Sequence, residues 1–197
     1  MTIREHLRPA LVLTLLLCVL TGLIYPGIVT GLAQLLFPRQ ANGSLIEFRG
    51  RVIGSSLIGQ EFSRPEYFHS RPSAAGSGYD AAASGGRNKG PTDRKLADSL
   101  IGPALAQVIQ EDGGKTGHIP SDMVTASASG LDPHISPANA ELQARRVARS
   151  RGIALDVVRA LVVRHTEGRQ FGVLGEPRVN VLLLNLELDR LAPFKRP

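Results

Sequence analysis

Two stretches of this chain hold the residue types that could carry chemistry. The first, Gly85-Gly86-Arg87-Asn88-Lys89-Gly90, gathers glycines and two cations as a phosphate-cradling loop would. Such a loop ends in Gly-Lys-Ser/Thr and runs straight into a helix, whose free N–H groups face the anion. Here Gly90 and Pro91 follow the lysine, so a structural turn is expected. The second, Ser129-Gly130-Leu131-Asp132-Pro133-His134, sets an acid and an imidazole two residues apart. A metal site requires more ligands close by, and a Ser/His/Asp set requires a nucleophile elbow. The stretch offers neither, which leaves a His134 ring bonded to a neighbouring backbone group. The other carboxylates are scattered singly, with no pair spaced for acid–base work. On these grounds no catalytic residue, metal site or bound cofactor is expected.

The elements that position these stretches follow from periodicity and turn chemistry. Ser44 to Leu57 reads as two short strands meeting at Gly50. Phe62 to Pro91 is too rich in Gly, Ser, Ala and Pro for long regular elements. A flexible linker is one reading; Tyr67, Phe68 and Tyr79 give it groups to dock and favour an ordered surface lobe. From Thr92, taken as an N-cap, Leu96, Leu100, Leu105, Val108 and Ile109 give helical periodicity up to Gly113, with Pro103 splitting or bending it. Ser136-Pro137 starts a sharper helix that Gly152 stops, with Ala140, Ala144, Val147 and Ala148 on one face and Arg145, Arg146 and Arg149 on the other. A third helix runs from Leu155 to Thr166, with Val158, Leu161, Val162 and His165 inward. Val179 to Leu188 is apolar enough for a core strand or a helix, and periodicity does not decide between them.

All of this follows an N-terminal run, Ala10 to Phe37, that holds no charged residue. It exceeds the ~20 apolar residues that cross a hydrocarbon core. The twelve Leu, Ile and Val side chains in the window Leu11 to Val29 favour insertion by about 4 to 7 kcal/mol in total. A cleaved signal peptide has a shorter apolar run, and a buried core helix is rarely so uniformly apolar. A transmembrane helix is the reading, kinked or loosened where Pro26 removes a backbone donor. Gly22, Gly27 and Gly31 leave room for a neighbouring helix. The resulting plan is a short tail at 1–9, a span at 10–37, and a soluble domain at 38–197: an α+β soluble domain tethered by a single N-terminal transmembrane helix. The soluble part, about 160 residues, is large enough for one core. Cys18, the sole cysteine, falls inside the span and excludes disulfides and thiolate metal sites beyond it. The net charge of +6 comes without Trp and with three Tyr, so no nucleic-acid platform is expected. Arg4 and Arg8 flank one end of the span, Arg39, Arg49 and Arg51 the other. That near tie leaves the short tail to favour a cytoplasmic N-terminus and an outer domain.

Several stretches together resemble the C subunits of the bacterial Kdp potassium-transporting ATPase. They are Thr21-Gly22 with Tyr25-Pro26, Leu36-Phe37-Pro38 with Gln40 to Ser44, Gly54 to Gln60, Arg71-Pro72-Ser73 and Ser84-Gly85-Gly86. The most specific are SGLDPHISP at Ser129 to Pro137 and LGEPRVNVLLLN at Leu174 to Asn185. One departure is Arg87-Asn88-Lys89, where the family usually carries Ser-Asn-Leu after the two glycines.

The resemblance implies an accessory, non-catalytic subunit in the inner (plasma) membrane. Its partners would be a channel-like potassium-translocating subunit, a P-type ATPase subunit, a small single-span subunit and membrane lipid. ATP and K⁺ would act on the complex, and the subunit would serve as a catalytic chaperone favouring ATP binding by the ATPase subunit. A domain outside the membrane would exert that effect through subunit contacts, or stabilise the assembly and cap the K⁺ entrance. Arg71, Ser73, Asn88, Ser129, Asp132 and His134 are the candidates for partner contact or ordering. A membrane-tethered enzyme or ligand-binding domain outside the cytoplasm is the alternative.

Overall fold

The computed structural model describes residues 3–48 and 50–193, in two compact units, Met1–Ile53 and Gly54–Pro197. Arg49, the side chain of Arg4 and residues 194–197 lie outside the described parts.

In the first unit, helix α1 (Ile3–Val19) runs through a π-turn (Leu20–Ile24) into α2 (Tyr25–Leu36). The π-turn lies immediately before Pro26, and its wider spacing lets the Tyr25 N–H reach Leu20 O. An α-turn here would press the proline ring on a carbonyl four residues back, so the loosening expected at Pro26 takes this form. His6–Leu36 is long and apolar enough to cross a membrane, and no residue of α2 or the π-turn is buried. Phe37 ends the helix, and a single turn, α3 (Pro38–Ala41), follows. Asn42 locks the junction, donating to Gln34 Oε1 at 3.1 Å and to Pro38 O at 2.7 Å. The two expected strands are present as β1 (Leu45–Phe48) and β2 (Arg51–Ser55), which form a two-stranded sheet.

The second unit is built round a small antiparallel sheet, β3 (His134–Ile135), β4 (Thr166–Glu167) and β5 (Arg178–Asn180), with β5 central. Ile135 and Thr166 both lie opposite Val179, which is fully buried. The helices are α4 (Gly102–Asp112), α5 (Pro137–Arg151), α6 (Leu155–Arg164) and α7 (Val181–Leu191). Alanines and Val147 of α5 pack with Val158 and Leu161 of α6 and with Leu184 and Leu188 of α7. The sequence therefore gives a mixed helix-and-sheet domain, as expected.

Local signals explain most boundaries. Ser136 Oγ accepts from the Asn139 N–H at 3.1 Å to start α5, and Gly152, at φ 66°, ends it. Gly102 and Pro103 open α4 after a π-turn over Leu96–Ile101, so the helix is split there. Three details differ from expectation. The cap before that helix is Asp93, whose carboxylate accepts from Lys95 N–H at 2.8 Å, rather than Thr92. Val179 to Leu188 is neither all strand nor all helix: Asn180 ends β5 and caps α7, accepting from Leu183 N–H at 3.1 Å. Arg146 faces inward, because Asp112, two backbone carbonyls and Gln143 take up its guanidinium.

The Gly- and Ser-rich lobe is ordered, as the docking reading expects. Phe68 is fully buried among the helices. The Asn185 side chain holds it like a strand partner, accepting its N–H and donating to its C=O, both at 2.9 Å.

Candidate functional site

The lobe and the Ser129 to Pro137 stretch are joined by short polar links. Ser73 Oγ donates to Gly130 O at 2.7 Å and accepts from the Ala75 and Tyr79 N–H groups. Ser129 O accepts from Gly85 N–H at 3.0 Å and from Ser84 Oγ at 2.9 Å, while Ser129 Oγ accepts from Leu131 N–H. Gly59 N–H donates to Leu131 O at 2.8 Å from the other side. Gly130 lies at the crossing with φ 68°, where a Cβ would sit 2.6 Å from Ala75 N. Only glycine combines that left-handed backbone with so close an approach.

Arg71 and Asp132 meet across the same crossing. Arg71 Nη1 donates to Asp132 Oδ2 at 3.0 Å, and Nη2 reaches Thr125 O at 3.4 Å. Asp132 Oδ1 accepts the His134 N–H at 3.0 Å and lies 3.5 Å from His134 Nδ1. The imidazole thus faces a carboxylate, where a backbone partner was expected. Burial pushes the Asp132 carboxyl up, but the His134 and Arg71 hydrogen bonds outweigh it and hold it below 3.8. Behind Arg71, the Tyr79 hydroxyl donates to Arg71 O at 2.5 Å. Burial, then the Glu61 charge, pushes that phenol up to about 12, so it stays a donor.

Arg71, Asp132 and His134 line an open cleft of about 500 Å³, together with Asp122, Glu176 and Arg178. Arg178 pairs with Glu167 at 2.9 Å. Among the described residues, the Nε–H groups of Arg71 and Arg178 are buried without a hydrogen-bond partner, and both belong to this cleft. Buried donors are normally satisfied, so a pair of exceptions beside one cleft marks it as a place where an acceptor would be welcome.

Five of the six predicted residues thus gather at the crossing: Arg71, Ser73, Ser129, Asp132 and His134. Asn88 stands apart, at φ 49°, in a second cavity of about 390 Å³ with Arg87 and Lys89. The Gly85 to Gly90 stretch forms no helix, and Lys89 is paired with Asp93 at 3.0 Å. Sequence reasoning passed over Asp122, which accepts from Ser136 N–H, Ser136 Oγ and Asn139 Nδ2 and so anchors the start of α5. It also passed over Glu176 and Arg178. No local pattern marks them, although both fall within the LGEPRVNVLLLN stretch. Among the described residues no three His, Cys, Asp or Glu side chains gather as a metal site. The arrangement is a charged, hydrogen-bonded cleft in which the Ser136 hydroxyl is engaged with Asp122 and with the start of α5.

Comparison with known proteins decides which family builds this crossing. The KdpC family, described as K⁺-transporting ATPase, c chain, matches residues 7–190. The chain belongs to that family. Its relatives include the Potassium-transporting ATPase KdpC subunit of Gemmatimonas aurantiaca, 64% identical over 95% of this chain and 94% of that one. The subunit of the same name from Koribacter versatilis is 55% identical over 98% of this chain and 99% of its own. That from Myxococcus xanthus is 61% identical over 87% and 82%. Membership in the KdpC family therefore extends over both units, from the apolar helix to α7.

Proposed function

We propose that this chain is the accessory, non-catalytic C subunit of an ATP-driven potassium-uptake complex. The family match over residues 7–190 carries the reading. The chain is anchored in the plasma membrane by His6–Leu36, with its N-terminus cytoplasmic and the domain from Pro38 outside. Its partners are the channel-like potassium-translocating subunit, the P-type ATPase subunit and the small single-span subunit.

The crossing of Arg71, Ser73, Ser129, Asp132 and His134 serves to order a contact surface. Most of its polar groups are engaged in linking loops, which suits a rigid docking face. The two unpartnered Nε–H groups beside the cleft gain hydrogen bonds if a partner's acceptor draws either guanidinium outward. Outside the membrane the domain stabilises the assembly and caps the K⁺ entrance. Its chaperone effect on ATP binding then passes through subunit contacts, as a coupling free energy between distant sites. Full-length chain carrying an affinity tag, extracted in mild detergent from cells expressing the whole complex, should bring down two much larger membrane proteins. Recovery of the chain by itself would overturn the assignment.

A further inference from the structure

The link between β4 and β5, residues 168–177, is a pinned hairpin with an apolar tip. Gln170 and Leu174 form an isolated antiparallel bridge, with backbone bonds of 2.9 Å in both directions. Below it, Arg169 Nη2 donates to both carboxylate oxygens of Glu176, at 2.9 and 2.7 Å. At the tip, Phe171 and Gly172 both have left-handed backbones, φ 52° and 76°. A tight turn with two positive φ values selects Asn, Asp or Gly, and a bulky aromatic there is an outlier. Phe171 is nonetheless 93% exposed, with Val173 at 72% and Leu174 at 56% beside it. At that exposure the ring gains little burial among the described residues to offset its backbone conformation.

We propose that this loop is a docking knob whose Phe171 enters an apolar socket on another subunit of the potassium-transporting ATPase. The proposal rests on the subunit reading above and names the contact. Charge selects a protein socket over the lipid surface. Membrane-seated loops pair their apolar tip with surplus Lys or Arg. Here Arg169 and Arg178 are neutralised by Glu176 and Glu167 at the base of the knob. The tip between them, Gln170 to Gly175, carries no charge. A pre-shaped aromatic projecting from a pinned turn is what a buried interface anchor requires.

The test uses the full chain, with the remaining subunits immobilised in detergent, and compares Phe171→Ala and Phe171→Gly with the unchanged protein. Both variants should bind roughly thirtyfold more weakly, as for loss of an aromatic hot spot. In the free chain Phe171→Gly should raise Tm by about a degree or more, because glycine accepts the left-handed backbone. A lowered Tm would make Phe171 a structural residue and overturn the proposal. So would unchanged binding in detergent, and a loss confined to lipid nanodiscs would assign the tip to the bilayer instead. Failure of the unchanged chain to bind would overturn the subunit reading itself.

Discussion

Asp132 concentrates the chemistry of the crossing in one side chain. It accepts from Arg71 and from the His134 backbone, and its carboxyl is held below 3.8 in the folded chain. Depression of a folded-state pKa means stability that is complete above the unfolded value and is lost as pH falls through the folded one. Asp132→Asn keeps the shape and removes the charge. It should cost about 1–2 kcal/mol at neutral pH, or roughly 2–8 °C in Tm. Thermal melts in detergent should show the gap to the unchanged protein closing below about pH 4. A gap that stays constant down to pH 3 would contradict the charge-based account. His69 adds a second acid-sensitive group. Burial and then Arg146 lower its pKa below 6.5, so its contribution weakens as pH drops from that value. Arg146 itself shows what a sequence hides at this scale. Helical periodicity marks a guanidinium for the outer face, and only the folded lobe, bringing Pro65 O and Tyr67 O to it, makes an inward position tolerable.

At the scale of elements, the start of α5 depends on two residues of unequal visibility. Ser136 was legible as a cap because its partner is three residues on. Asp122 was not, because its three bonds to Ser136 and Asn139 close a loop that no local pattern encodes. Ser136→Ala should cost about 1 kcal/mol. Asp122→Ala leaves a helix-start N–H and a buried amide without their acceptor, and should cost about 2–3 kcal/mol. Urea unfolding of the full chain in detergent ranks the two; an Asp122 variant as stable as the parent would contradict the anchoring role. The same logic separates what was readable in α7. Its apolar run announced a buried element, while the switch from strand to helix depends on Asn180 closing β5 and capping the next turn. The lobe needed Asn185 and Phe68 to find each other across the fold, and neither carries a local signal of that pairing. The long apolar helix was the easiest element to read, since uninterrupted apolar sequence requires no partner to be recognised.

For the whole molecule, the family match and the apolar helix agree on a membrane complex, and the side of the membrane decides how the domain acts. Ser77 is exposed on the lobe and suits a label. With Cys18 replaced by Ser, a cysteine substituted at Ser77 should react with a membrane-impermeant maleimide on intact cells. Reaction only after lysis would place the domain in the cytoplasm and contradict its action from outside. The most direct test of the accessory role is potassium-stimulated ATP hydrolysis by the complex isolated from cells with and without this chain. The account predicts that, without it, the remaining subunits come apart or require more ATP to reach half-maximal rate, and that adding the chain back restores them. An intact complex with unchanged potassium-stimulated hydrolysis in its absence would contradict the account.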